Sequence, residues 1–341
     1  MSSSSGSLPR YIVQRLLLVI PMMWILMTLV FLLLRVAPGD PVSAALGGKI
    51  SPQALESSKE QLGLNKPLIQ QYWDYLWSVV HLNFGTSFTD NQPIIDVIKQ
   101  NGGATLSLTT AAFLVAVVVG IPLGLIAGRM RDTPSDVLIR LFGIITYATP
   151  IFFAGLLVQV HVAPALGLPT GSDASPETTF IVPDRTHILL IDAILSGDWP
   201  SIVDVVRHLI LPSLVLGIFI CGVFIRLVRI NILQTNQSDY VEAATARGVS
   251  PRKVTWNHAF RNALVPVITV LGLQAALLLG GAVLTETTFN WPGIGLKLVK
   301  YINGRDYGAV QGIVTFFGLV VIVVGLIVDI INALIDPRVR Y

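Results

Sequence analysis

Residues Gln100–Gly128, QNGGATLSLTTAAFLVAVVVGIPLGLIAG, run for 29 positions without an Asp, Glu, Lys or Arg. A helix rises about 1.5 Å per residue, so about 20 apolar residues cross a hydrocarbon core about 30 Å thick. This stretch is long enough to span, and Lys99 and Arg129 close it at its two ends. Five more windows share the pattern: Leu16–Leu34, Leu141–Ser172, His208–Ile225, Asn262–Thr285 and Tyr307–Val328. The sequence therefore predicts an all-α polytopic membrane protein with six transmembrane helices.

Composition agrees. Of 341 residues, 53% are hydrophobic and 13% charged, against about 25% charged in soluble domains. Mean hydropathy is +0.70. A disordered chain is excluded, and a soluble globule would have too few charges to cover its surface. The net charge of +3 is too weak for a nucleic-acid theme. Cys221 is the one cysteine, which excludes an internal disulfide and a cysteine metal cluster.

Basic residues set the expected orientation. An inside amino terminus places 13 of the 23 Lys and Arg in the cytoplasm with 6 of the 20 acids, a net +7 inside against −4 outside. Both termini are then cytoplasmic. The first window could instead be a signal peptide, with Arg10 and Arg15 ahead of it and Val42-Ser43-Ala44 after it. Its apolar run exceeds the usual 7–15 residues, which favours an uncleaved anchor. Residues 2–7, SSSSGS, read as a polar tail.

Three segments outside the windows are long enough to act. Residues 36–100 carry two helix starts, Ser51-Pro52 and Asn65-Lys66-Pro67. Leu68, Tyr72, Tyr75 and Val79 follow at helical spacing, with Trp73 and Trp77 alongside. This predicts a small helical cap on the membrane interface with both tryptophans largely shielded; the alternative is a linker. Residues 164–207, with six acids against Arg185 and Arg207, read as a solvated insertion with one short helix. In residues 229–265, Asp239 and Glu242 resemble a capping box, and a helix over about 240–247 stops at Gly248. Ser250-Pro251 starts a second helix with Trp256, Phe260, Ala263 and Leu264 on one face, and Pro266 marks the entry to the fifth span. Ala243, Ala244 and Ala246 make the first helix small-faced, suited to a groove on a partner. A compact solvated loop is the alternative.

No G-x-x-x-x-G-K-[ST] loop is present, so ATP is not bound in that way. His81, His161, His187, His208 and His258 lack metal-type spacing. Gly102-Gly103 reads as a turn before the second span. The windows hold no ionisable residue except His161 and His208, which argues against a proton-driven carrier.

Tyr240-Val-Glu-Ala-Ala-Thr-Ala-Arg-Gly248 resembles the EAA-x-x-x-G motif of ABC-importer permeases. His258-Ala-Phe-Arg-Asn-Ala-Leu-Val-Pro266 is similar to the form used by the dipeptide, oligopeptide and nickel branch. Pro38-Gly-Asp-Pro41, Leu62-Gly-Leu-Asn-Lys-Pro-Leu68, Asn83-Phe-Gly-Thr-Ser87, Thr105-Leu-Ser-Leu-Thr109, Glu286-Thr-Thr-Phe-Asn-Trp-Pro-Gly-Ile-Gly295, Arg305-Asp-Tyr307 and Asp336-Pro-Arg-Val-Arg-Tyr341 extend the likeness over residues 8–341. Thr245 and the length of 164–207 depart from the branch pattern.

The resemblance implies a type I ABC-importer permease fold with a helical extracytoplasmic cap. It divides the chain into a tail, 1–10; a first span, 11–35; the cap, 36–104; a core, 105–335; and a cytoplasmic end, 336–341. The core includes the 164–207 insertion and the 229–265 coupling loop. It further implies a non-enzymatic permease subunit in a bacterial-type cytoplasmic membrane, importing di- or oligopeptides by alternating access. Implied partners are a second homologous permease, two cytoplasmic ATPase subunits that bind the ATP and Mg, an extracytoplasmic solute-binding protein and the bilayer. No cofactor belongs to this chain. The ATPase-docking coupling helix would comprise Asp239, Tyr240, Glu242, Ala243, Ala244, Arg247 and Gly248. Candidates for lining the translocation path are Thr146, Tyr147, Thr149, Gln159 and Gln274; the alternative for each is a helix–helix hydrogen bond. From the residues alone, a passive channel or secondary carrier for small solutes stays open.

Overall fold

A computed structural model describes residues 8–36, 65–238 and 261–335, with positions 53, 56, 60, 241, 243 and 246–249 between them. The expected helix start at Ser51, the second coupling-loop helix over 251–260 and the end at 336–341 lie outside the described residues. The described residues are mostly helical and form no sheet; Thr86 and Pro93 make one isolated bridge.

Helix α1 is Leu8–Val36 and α2 is Leu68–Val80, which starts directly after Pro67. Helix α3, Ile94–Arg129, runs 36 residues and begins at Pro93, well ahead of the charge-free window. Gly102 and Gly103 therefore lie inside a helix, not in a turn. Gly103 has a packing reason: a Cβ there would strike the backbone carbonyl of His187.

The window Leu141–Ser172 does not form one straight span. Helix α4, Pro134–Ala148, stops at Thr149, whose ψ is 127°. Pro150 forces this, because its ring excludes the helical conformation from the residue before it. Helix α5, Ile151–Leu157, then leaves at 102° to α4. A π turn, Val158–Val162, and α6, Ala163–Leu166, continue it to Gly167, left-handed at φ 60°.

The 164–207 segment holds two short helices rather than one, α7 (Pro176–Ile181) and α8 (Leu189–Ser196). It is not simply solvated. Ala174, Val182, Ala193 and Val205 make a small core. Asp192 is buried and accepts from the Thr186 N–H at 2.9 Å and the Thr186 hydroxyl at 2.8 Å.

Helix α9, Trp199–Asn236, is capped by Asp198, which accepts from the Ser201 N–H at 3.0 Å. Helix α10 is Arg261–Thr288, so Pro266 lies within it and not at its entry. Helices α11, Ile294–Asn303, and α12, Tyr307–Ile335, complete the order. Four described stretches are long and apolar enough to cross a bilayer: Leu8–Leu34, Ile94–Arg129, Trp199–Thr235 and Tyr307–Leu334. The bent pair α4 and α5–α6 makes a fifth if taken as one span. The remaining expected window falls on α10, whose described apolar part is Leu277–Thr288.

The centre is the α3–α9 pair. Gly120, Gly124 and Gly128 repeat every four residues on one side of α3, following Ala112 and Ala116. Small residues let helix backbones approach closely where lipid removes the hydrophobic drive. A Cβ on Gly120 would stand 2.8 Å from the Phe224 Cβ, and one on Gly124 2.7 Å from the Val228 Cβ. On α9, Gly217 makes the reciprocal approach to the Ala112 carbonyl of α3, while Gly222 meets the Gly143 carbonyl of α4. A second core joins α1, α2, α3, α11 and α12 through Met27, Leu76, Val97, Leu298 and Ile313.

Candidate functional site

At the end of the bundle that carries α2, buried carboxylates tie distant segments together. Glu286, fully buried near the end of α10, accepts from the Thr105 hydroxyl at 2.7 Å and from the Leu296 N–H at 2.9 Å. It thereby caps the start of α11. Thr105 in turn accepts from the Ile294 N–H at 2.9 Å, and Trp291 donates its indole N–H to the Ala104 carbonyl at 2.8 Å. A side chain on Gly293 or Gly295 would collide with the Glu286 carboxylate. The stretch from Glu286 to Gly295 is therefore a clamp holding α10, α11 and α3 in one geometry.

Asp306 is also fully buried. It accepts from the Ser87 hydroxyl at 2.8 Å and from the N–H groups of Phe88 and Thr89 at 2.7 and 2.9 Å. The loop after α2 is thus fixed to the start of α12. Nearby, the Tyr301 hydroxyl donates to Asp90 at 3.0 Å. Burial pushes the Asp90 carboxyl up, but the bonds from Ser87, Tyr301 and the Gln92 N–H outweigh it and hold it below the usual carboxylate value. The sequence reading missed these acids as structural anchors. Asp306 and Glu286 lie in quoted motif stretches, but their partners are about 180 to 220 positions away in the chain.

At the opposite end, Asp136 of α4 is fully buried and meets Arg229 of α9 with two bonds, 2.7 Å from Nε and 2.8 Å from Nη2. Arg140 stands 3.4 Å from the same carboxylate. Arg229 is seven residues before the end of α9, about 10 Å along its axis. The last turns of α9 are therefore held by the bidentate pair on one side and by the Gly128 contact with Ile232 on the other.

Ser238 and Val241 continue as a turn, the Val241 N–H bonding the Ser238 carbonyl at 2.9 Å. Val241 is buried, while Ala243 and Ala246 are helical and exposed. The Arg247 N–H bonds the Ala243 carbonyl at 3.2 Å, and Gly248 follows at φ 79°. The described part of this helix presents small residues and Arg247 outward, with Val241 turned in. Asp239, Tyr240, Glu242 and Ala244 lie outside the described residues.

The path candidates are scattered. Thr146 and Thr149 donate to carbonyls of their own helix, Gly143 at 3.1 Å and Ile145 at 2.7 Å. Tyr147 is exposed and stacks on Phe219, ring centroids 6.4 Å apart. Gln159 bridges the Thr170 and Thr288 carbonyls at 2.7 and 2.9 Å, which joins the π turn to α10. Gln274 is half-buried on α10. His208 is mostly buried, its Nδ1 2.8 Å from the Asp204 carbonyl. Among the described residues, no group of three His, Cys, Asp or Glu could hold a metal ion.

Apolar spans, buried polar clamps at one end and a small exposed helix at the other define a multi-pass membrane protein whose chemistry lies in its surfaces. The chain matches the family described as binding-protein-dependent transport system inner membrane component over residues 120–341. Residues 8–109 match the N-terminal part of such components. The chain belongs to this family of membrane permeases. It is 40% identical over 332 residues to a di/tripeptide transport system permease protein, DppB, of Pseudomonas aeruginosa strain UCBPP-PA14, covering 97% of this chain and 98% of that protein. It is 36% identical over 335 residues to the dipeptide transport system permease protein DppB of Escherichia coli K12, covering 97% and 99%. The glutathione transport system permease protein GsiC of Escherichia coli K12 is 35% identical over 333 residues, with coverage of 97% and 99%.

Proposed function

We propose that this chain is one of two permease subunits of an ATP-driven importer and forms half of a path for di- or oligopeptides. The observation that carries the reading is the short helix beyond α9, where Ala243, Ala246 and Arg247 face outward and Gly248 reverses the chain. Two outward alanines keep this face small enough to enter a groove, with Arg247 beside them as a long cation for the partner to meet, and a partner that closes on it moves the spans behind it. Asp136–Arg229 and the α3–α9 contact make that lever stiff. In this reading six spans cross the cytoplasmic membrane with both termini and the small helix inside. Two ATPase subunits bind the ATP and Mg, a solute-binding protein delivers cargo from outside, and the spans alternate between inward- and outward-open arrangements. Asp239, Tyr240, Glu242 and Ala244 complete the docking helix. Gln159 is assigned to helix–helix bonding rather than to the path.

The peptide cargo rests on relatives named for di/tripeptide, dipeptide and glutathione transport. Purification of the complex from its native membrane, followed by identification of the co-purifying binding protein and its ligand, tests this. A bound peptide supports the cargo; a bound metal chelate or sugar refutes it. A chain that purifies without an ATPase and catalyses gradient-driven flux would make it a secondary carrier.

A further inference from the structure

Trp73 and Trp77 are not shielded within the chain. They are 60% and 70% exposed. The reason is their phase on α2. At about 100° per residue, Gln71, Tyr72, Tyr75, Leu76 and Val79 share one side, and this side meets the bundle. The Tyr72 hydroxyl lies 2.7 Å from that of Thr28 on α1, and the Tyr75 hydroxyl 2.7 Å from that of Thr315 on α12. Phe31 of α1 packs edge-on to Tyr72 and stacks on Tyr75.

The outward side of α2 is not uniform. Ile69, Trp73, Trp77 and Val80 form one exposed apolar stripe, with no charge on it. Gln70, Asp74 and Ser78 form a separate polar stripe, with Lys66 paired to Asp74 at 2.7 Å. A helix with two different outward faces sits where three media meet: protein, water and a third, apolar one. Helix α1 identifies the third. It is a long apolar helix able to cross a bilayer, and Leu29, Leu32 and Leu33 beside the α2 contact are exposed, uncovered by the rest of the chain.

We infer that α2 is a lateral membrane anchor, with Ile69, Trp73, Trp77 and Val80 seated at the headgroup–acyl boundary and Gln70 and Asp74 in water. Tryptophan is suited to that depth, having an apolar ring and one polar N–H. Amphipathic helices lie flat there with the apolar stripe down. The anchor fixes the depth of the adjoining ends of α1 and α12 through Tyr72 and Tyr75. It holds whatever the cargo is.

The full chain in phosphatidylcholine nanodiscs tests this. In a Cys221→Ser background, which keeps a donor for the Ile218 carbonyl, single Ile69→Cys, Trp73→Cys, Trp77→Cys, Val80→Cys, Gln70→Cys and Asp74→Cys variants are spin-labelled. Collision rates with lipid-soluble oxygen and with a water-soluble nickel chelate are compared. The first four positions should favour oxygen several-fold over nickel, and positions 70 and 74 the reverse. Equal nickel access at all six would put the stripe in water and overturn the inference. Low access to both probes at the first four would mean that protein covers the stripe, and would overturn it equally. A label-free check uses lipids brominated near the headgroup. Replacing Trp73→Leu and Trp77→Leu together should remove emission that those lipids quench; loss of unquenched emission alone would refute the anchor.

Discussion

Replacing Gly124→Ala adds one methyl group where α3 meets α9. That carbon would stand 2.7 Å from the Val228 Cβ and 2.8 Å from the Ile225 carbonyl oxygen. Non-bonded carbons prefer about 3.5–4.0 Å, so the helices must separate by about 1 Å there. The Ile225 oxygen is backbone and cannot rotate away. Overpacking of this kind costs about 1–3 kcal/mol, while Ala gains at most about 1 kcal/mol over Gly in a helix interior. A net loss of about 1–2 kcal/mol is expected, and more for Gly124→Val. Gly325→Ala and Gly280→Ala are the controls: a Cβ at either position meets nothing within 4 Å, so both should be neutral or stabilising. Unfolding of the purified chain by denaturing-detergent titration reads all four. If Gly124→Ala matched Gly325→Ala in stability, close approach of α3 and α9 would not be what holds the centre.

Three further outcomes are expected. Asp136→Asn leaves the mostly buried Arg229 with a weaker partner; removing one member of a buried pair costs about 3–5 kcal/mol at the extreme, and pairing Asp136→Leu with Arg229→Met should recover most of the loss in the same titration. Burial raises the Asp173 carboxyl above its ordinary value; the folded state then holds the proton more tightly, so stability falls as pH rises from the unfolded to the folded pKa. Asp173→Asn should therefore stabilise at neutral pH and have no effect well below the ordinary carboxylate value, measured as thermal midpoint against pH. Ala243→Arg places a long cation on the exposed face of the small helix, so it should leave folding unchanged but weaken ATPase binding or uncouple hydrolysis from uptake; normal binding and coupling would remove this face from the docking surface.

The sequence was most informative where the cause of structure is local. Four of the six charge-free windows coincide with long apolar helices among the described residues, Pro67 started α2, and Gly248 is left-handed where a chain reversal was expected. It failed where counting replaced backbone geometry or where partners are remote. Leu141–Ser172 is one window by charge but two helices, because Pro150 excludes helical backbone from Thr149. Trp73 and Trp77 were expected to be largely shielded in the cap because aromatics usually need burial, yet their phase sets them opposite the bundle. Asp192 lay in a stretch read as solvated, and Glu286 and Asp306 were given no structural role, yet all three are buried and accept bonds from hydroxyls and backbone N–H groups. The glycine repeat at 120, 124 and 128 is visible as a spacing of four, but apolar composition alone does not say which helix it faces. The 240–248 stretch is readable only through its motif, since the role proposed for it lies in a partner rather than in this chain.

The proposed function requires that peptide move only when partner subunits hydrolyse ATP. The direct measurement is uptake of a radiolabelled dipeptide into proteoliposomes holding this chain with its second permease and ATPases, with the binding protein on the outside. Uptake that requires ATP inside, and vanishes when the ATPases or this chain are omitted, is the predicted result. Peptide flux through this chain alone, driven by its own gradient or by protons and indifferent to ATP, would contradict it.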